Sequence, residues 1–431
     1  MSKGFLMAID GKGIFLGSAV ALLAATGAQA ADMPKAPARE PVYRCDITGF
    51  IELPGTDICF KIGGFARFYA GAASDNVVGI GANPGYFWGN IGGNATHTTG
   101  DTFLMHAQAR LNFDARTTTE YGVLRAFIEM QAEDTNASTG GPFNLRHAFI
   151  QFGKWTFGKT DTLFAHGASA PAYTDFITHV GDPYGRSVQV RYTMPLGNGM
   201  TLALALEDPA YQPAGDLAVF LGTPPFMMQE RDEAPAIVAA LGFSGSWGSA
   251  QVAAGARRNV YRNAVAPGVF VPGTIADREI GWRVDAGASI DVSSSISLLA
   301  RAYYSDGFNA HSSLFLGDII SSATGLTIAD NVEEWMVMGG VSFAVTPDVA
   351  ASVSLAYAQS EAGSLFGTGL LGTPSMWGVN VLQAVGNVFW RPVNNFELGV
   401  EVAYSDVDYG FFTGPLDGDA FSVAVQATRS F

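Results

Sequence analysis

Cysteine is almost absent: the 431 residues hold two, Cys45 and Cys59. That is too few for a disulfide-stapled scaffold and lacks the paired spacing of a structural zinc site. The six histidines are scattered, with none of the His-Glu-x-x-His spacing that sets two ligands on one helix face, so neither a metal nor a cofactor is expected. Basic residues are outnumbered, 24 Lys and Arg against 39 Asp and Glu. The net charge of −15 excludes the basic stripe that neutralises phosphates, and with it a nucleic-acid partner. Hydrophobic residues make up 48% of the chain, yet beyond residue 30 they never gather into the roughly 20-residue run a helix needs to cross hydrocarbon. A bundle of membrane helices is thereby excluded. The glycine-rich GIGANPG near residue 79 has no strand-to-helix transition around it and reads as an exterior loop, not a phosphate cradle.

What is present begins with a leader. Lys3 and Lys12 flank the start of GIFLGSAVALLAATG, which closes on Ala28-Gln29-Ala30. A basic start, an apolar stretch too short to span and small residues at its end mark a secretory signal, residues 1–30, cut after Ala30. The leader holds Lys3, Lys12 and Asp10, a charge of +1, so the remainder carries −16 by −15 − (+1). Residues 31–44, opening with ADMPKAPAREP, are rich in Pro and charge and are expected as a flexible segment on the periplasmic side. Export carries Cys45 and Cys59 into an oxidising compartment, where a disulfide closing the short loop between them is the economical reading and two free thiols the alternative.

From Cys59 onward, runs of about ten residues alternate apolar and polar side chains and are bounded by Gly, Pro, Asn or Asp. Sixteen are readable, from CFKIGGFARFYA to AFSVAVQATRSF. In MTLALALED, Leu202, Leu204 and Leu206 alternate with Thr201, Ala203, Ala205 and Glu207. The 52 glycines and 12% aromatics suit the same architecture. The expected fold is all-β: a transmembrane antiparallel β-barrel of 16 strands over residues 45–431, lipid on one face and water on the other. A soluble two-sheet sandwich is the structural alternative. Tight breaks at Thr117-Thr118-Thr119, Leu196 to Gly199, Gly245 to Gly248 and Pro392 to Asn395 interleave with longer segments after Ala70, Asp208, Asn259, Gly307 and Asp408. Short turns belong on the periplasmic rim, long loops outside. In the last run Phe421, Val423, Val425 and Ala427 share a face with the terminal Phe431, the expected assembly signal, interrupted only by Arg429.

The stretch CDITGFIELPGTDICFKIGG at residues 45–64 resembles the cysteine-bounded start of the porins of alphaproteobacteria, and the strand layout and ending extend the likeness over the mature chain. FNLRHAFIQFGKWTFGKTDTLF is similar to the approach to the pore-narrowing third loop of general porins. The resemblance implies a water-filled channel for passive diffusion of small hydrophilic solutes. It further implies a homotrimer of separate pores among outer-membrane lipid and lipopolysaccharide, inserted by the barrel-assembly machinery of a Gram-negative cell. The 25 residues from Thr162 to Arg186 are then an inward-folded constriction loop; from spacing alone they are a loop longer than most structureless connections.

A pore selects by width and by fixed charge at its narrowest point, where low-dielectric walls focus the field. Arg67, Arg110, Arg125, Arg146 and Arg191 fall on the polar parity of the first six strands. The resemblance implies that loop acids, Asp175 and Asp182 with Asp161 at the base, face them across the constriction. Local pairing with Glu129 or Glu133 is the alternative for any single arginine. Trp335, Tyr357, Trp377, Trp390, Phe396, Tyr404 and Phe431 fall near strand ends, as an interfacial girdle requires. Two rivals stand beside the channel: a surface anchor or adhesin with a plugged lumen, and an outer-membrane hydrolase, which needs a nucleophilic serine and a lipid-facing histidine, His106 or His147. No catalytic residue is expected.

Overall fold

The computed structural model describes residues 45, 47–74, 102–134, 143–174, 179–182, 185–208, 227–230, 234–266, 269–308, 319–320, 330–362, 377–409 and 418–431. The expected leader, the segment 31–44 and Asp175 lie outside the described residues, as does the side chain of Trp377.

Sixteen long strands carry the fold: β1 Cys59–Ala73, β2 Thr102–Thr119, β3 Gly122–Asp134, β4 Phe143–Phe152, β5 Trp155–Asp161, β6 Arg186–Gly197, β7 Met200–Glu207, β8 Ala236–Gly245, β9 Gly248–Ala266, β10 Val269–Ser293, β11 Ile296–Asp306, β12 Asp330–Thr346, β13 Val349–Ala362, β14 Trp377–Val393, β15 Phe396–Tyr409 and β16 Gly418–Ser430. Each pairs antiparallel with its neighbour in sequence, and β16 returns to β1 in the register Ser422↔Ala73 through Ser430↔Phe65. Phe431 completes the seam, its N–H donating to Gly64 O at 3.1 Å while Gly64 N–H donates to Phe431 O at 3.3 Å. The sheet closes on itself, the condition for strands in lipid, where an unpaired backbone group costs several kcal/mol. Three short strands add to the wall: Ile51–Glu52 on the start of β1, Met227–Glu230 on β9 and Ile319–Ile320 on β12.

The period of two turns the apolar side chains outward. Leu204, Leu206, Val400, Val402, Phe421, Val423 and Val425 are exposed, while Ala205, Glu207, Glu401 and Ala403, one residue out of phase, are buried. The layout is inverted relative to a soluble sandwich, which rules that alternative out. Arg429, on the outward parity of β16, reaches the Asn394 carbonyl at 2.6 Å, back at the rim. Aromatic pairs line the outer surface near the strand ends, Trp335 with Tyr357 at 5.3 Å and Tyr404 with Phe421 at 4.9 Å.

Two-residue turns join β2–β3, β4–β5, β6–β7, β8–β9, β10–β11, β12–β13 and β14–β15, at the same end as the start of β1 and Phe431. Asn198 and Gly199, with φ of 54° and 77°, form the β6–β7 turn, the Asn-Gly pair that a hairpin with both central residues at positive φ favours. Two expectations shift. Thr117, Thr118 and Thr119 belong to β2, and the turn falls on Glu120 and Tyr121; β-branched residues fit the pleat better than a tight turn. Beyond Asn259 the chain does not leave the sheet: β9 and β10 continue as a hairpin to Ala266 and Val269. Register shifts at Tyr261, Arg262 and Ala264 break the alternation that would have marked it as strand.

Candidate functional site: an inward loop facing an arginine wall

Between β5 and β6 the described residues 162–174, 179–182 and 185 turn into the barrel. At the start, Thr162 Oγ1 and Leu163 N–H donate to the buried Glu207 carboxylate of β7 at 2.7 and 3.0 Å. Phe164 packs with Ala205, Val238, Ala240, Ala253 and Phe308. Further on, Gln251 of β9 donates to Leu163 O at 2.7 Å, and His166 Nε2 lies 3.3 Å from Ser249 Oγ. Ser169 passes so close to β10 that a Cβ at Gly287 would sit 2.7 Å from it. The second half fastens to the opposite wall. Tyr173 OH lies 3.2 Å from Ser354 Oγ of β13, and Val180 N–H donates to Gln383 Oε1 of β14 at 2.9 Å. Arg301 of β11 donates to Asp182 O at 2.9 Å. The expected inward-folded loop is thus present, held along the wall from β7 round to β15.

Glu401 of β15, 1% exposed, is the main clasp. It accepts from Thr174 N–H at 3.1 Å, Thr174 Oγ1 at 2.6 Å and Asn387 Nδ2 at 3.1 Å, and His179 Nε2 lies 3.0 Å away. A buried carboxylate is tolerated because several donors replace its water. His179 also stacks on Tyr173, centroids 3.6 Å apart and planes 9° apart. Burial raises the Tyr173 phenol above its ordinary value, so it stays a neutral hydroxyl.

Beyond the clasp, the arc of wall that the loop does not fasten to, β1–β4, presents the arginines. Arg67 donates to Thr428 Oγ1 at 3.0 Å and Arg110 to Gln131 Oε1 at 2.9 Å. Both guanidiniums lie against the Phe65 ring, 4.4 and 4.6 Å from its centroid. Arg146 pairs with Glu129 at 3.0 Å, with Arg110 at 3.7 Å from the same oxygen. Arg125 grips Asp114 through Nε and Nη2, both at 2.9 Å. Arg191 stands apart, donating to Gln189 at 2.8 Å and to the carbonyl of Asp161. The wall is therefore interleaved with acid, and local pairing coexists with lumen exposure. Asp161 shares the parity of the outward Trp155 and Phe157 and lies 3.4 Å from Arg186 Nε. Asp182 is exposed on the loop.

Both histidines expected on the lipid face belong to the interior. His106 is buried, four residues from Arg110 on the same parity, stacked on Tyr69 at 5.2 Å. His147 sits at a bulge, where Glu129↔His147 is followed by Met130↔Leu145; the extra residue, Arg146, breaks parity and turns both side chains inward. His147 contacts Thr160 Oγ1 at 3.2 Å and Arg186 Nε at 3.1 Å. Sequence parity also overlooked Arg116, which shares Asp114 with Arg125, and a buried far-wall group in which Arg283 and Arg301 lie 2.7 and 2.8 Å from Asp285 Oδ2. Their alternation was legible; their enclosure by the loop was not. Cys45 and Cys59 are joined by a disulfide, Cα atoms 5.5 Å apart.

A family model described as the porin subfamily matches residues 33–426. The porin Omp2a of Brucella suis biovar 1 is 24% identical over 433 residues, spanning 97% of this chain and 99% of that protein. The porin Omp2b of Brucella melitensis biotype 1 is 24% identical over 438 residues, with the same shares. Among solved structures, the outer membrane channel DcaP of Acinetobacter baumannii superposes with a TM-score of 0.65 at 22% identity, over 87% of this chain and 97% of that one. An anion-selective porin from Comamonas acidovorans superposes with a TM-score of 0.51 at 11% identity, over 87% of this chain and 100% of that one.

Proposed function

The chain belongs to the porin subfamily and is an integral outer-membrane β-barrel forming a channel for passive diffusion, and on that premise we propose that the gap between the inward loop and the arginines of β1–β4 is its constriction. One observation carries the reading: the loop is hydrogen-bonded to β7, β9, β11 and β13–β15, while Arg67, Arg110, Arg125 and Arg146 on the other side keep part of their surface toward the lumen. Water and small hydrophilic solutes pass between them. An apolar solute would shed ordered water at charged walls without compensation. In this scheme Arg67, Arg110, Arg125 and Arg146 form the basic wall, with Arg191 at its edge, and Asp182 opposes them from the loop. Asp161 acts at the base through Arg186 instead of across the gap.

The same reading removes residues 1–30 on export, places residues 31–44 on the periplasmic side, and makes Phe431 the signal by which the barrel-assembly machinery inserts the chain among outer-membrane lipid and lipopolysaccharide. Three copies would associate. Lys159 and Asp161, on the outward parity of β5 beside Trp155 and Phe157, suit a neighbouring protein wall better than acyl chains. The hydrolase reading loses its premise, because neither His106 nor His147 faces outward. Liposome swelling is the test: vesicles carrying the protein should swell in small sugars at rates falling steeply with solute size. Equal rates for all sizes would refute a constriction, and no swelling would favour the plugged anchor.

A further inference from the structure

The wall's lower end, next to the short turns, sets Arg125 of the basic wall beside Asp114, Arg116 and Gln151, which the constriction does not use. Arg116 and Arg125 are directly opposed across β2 and β3, a like-charge pair that an antiparallel ladder disfavours. Both are held by one carboxylate. Arg116 reaches Asp114 through Nε at 3.0 Å and Nη2 at 2.7 Å, mirroring the fork of Arg125. Side-chain exposure orders the three: Asp114 is 8% exposed, beneath Arg125 at 23% and Arg116 at 31%. The acid is covered and the cations face the water, so one net positive charge is presented to the lumen.

The side chains here keep donors to spare. Arg125 Nη1 donates to Gln151 Oε1 at 3.0 Å, which orients the amide and leaves its NH2 to donate. Arg116 Nη1 and Gln151 Nε2 make no hydrogen bond among the described residues. Aromatic rings brace both guanidiniums, Phe50 4.8 Å from Arg116 and Phe127 4.8 Å from Arg125. Phe50 comes from the segment that the Cys45–Cys59 disulfide closes. Beside them opens a cavity of about 420 Å³ lined by Arg116, Gly122, Val123, Arg125, Gln151 and Gly153, within the range that takes a small organic ligand. Two arginines and a glutamine contribute to its lining, and no carboxylate does.

We propose that this pocket at the periplasmic mouth is a second solute site, which holds a small oxyanion, a carboxylate or phosphate group, against Arg116, Arg125 and Gln151 as it leaves the pore. The Nη1 edge of Arg116, left over from its grip on Asp114, favours planar or tetrahedral oxyanions over chloride. The exposed position makes the site a weak, rapidly exchanging one, suited to passage. It rests on the channel reading above but adds a ligand class and two residues, Arg116 and Gln151, that the constriction does not require.

The test uses the full-length protein with inorganic phosphate as probe. In planar bilayers at constant ionic strength, phosphate replacing chloride should reduce the single-channel current saturably. Arg116→Gln and Gln151→Leu should each raise the half-blocking concentration about fivefold, the effect of one exposed charge-assisted hydrogen bond. Arg116→Lys, which keeps the charge and loses the fork, should also weaken block. Lys154→Gln removes a positive charge from the neighbouring turn without touching the pocket and should leave the half-block in place. Block absent from the wild type, unchanged in Arg116→Gln and Gln151→Leu, or equally weakened in Lys154→Gln would overturn the proposal. Phosphorus-31 line broadening with detergent-solubilised protein gives the same comparison without current, so loss of channels would count against the channel reading and loss of broadening against the site.

Discussion

Thr174 and Glu401 are 227 residues apart in sequence, yet the threonine hydroxyl donates to the carboxylate at 2.6 Å. This bond joins the constriction loop to the wall opposite its origin, and Thr174 N–H and Asn387 complete the clasp. Replacing Glu401 with Ala leaves these buried donors unmatched, at a cost of about 3 kcal/mol. The expected outcome is a freed loop in an intact barrel, read as increased open-channel noise and conductance, with Glu401→Gln intermediate.

Glu129 lies 3.0 Å from Arg146 and 3.7 Å from Arg110, so one carboxylate masks two wall cations. Glu129→Gln should raise chloride preference, moving the reversal potential in a KCl gradient by a permeability ratio of about twofold. Arg146→Ala should move it the other way.

Phe65 carries two guanidiniums on its ring, each contact worth about 0.5–1 kcal/mol. Phe65→Leu should let Arg67 and Arg110 spread, broadening the distribution of single-channel conductances while moving the reversal potential less than Arg110→Ala does.

His166 lies in the loop, outside the spanning strands. Burial pushes its imidazole below the ordinary 6.5, and Arg301 acts in the same direction, against a smaller opposing pull than burial from Asp285. A depressed folded value means that the released loop binds the proton more readily. Anchoring is therefore complete above the ordinary value and declines as pH falls through it toward the depressed one. Open-channel noise should rise between pH 7.5 and pH 5, and His166→Gln should flatten that dependence.

How much of this was legible follows from the range of each interaction. Alternation is local, so all sixteen strands and the inward parity of Arg67, Arg110 and Arg125 could be read from neighbouring residues. The bulge at Arg146 and His147 is one extra residue that no pattern marks, and it overturned the placement of His147. His106 needed only the parity of Arg110 to be placed correctly. The clasp at Glu401, the Glu207 anchor and the buried Arg283–Asp285–Arg301 group depend on where a loop lands across the lumen, and strand parity carries no information about that. The shared grip of Arg116 and Arg125 on Asp114 requires the β2–β3 register, which the misplaced turn at Thr117 to Thr119 would have shifted.

The open path itself can be probed with single cysteines, because both native cysteines are engaged in the disulfide. Arg110→Cys lies on the exposed wall, and Val238→Cys lies behind the loop, where Val238 is 0% exposed. A charged, water-soluble methanethiosulfonate reagent should cut the single-channel current of Arg110→Cys in discrete steps and leave Val238→Cys unaffected. Equal modification of the two, or an undiminished current through Arg110→Cys after complete labelling, would contradict a water path running between the loop and the arginines.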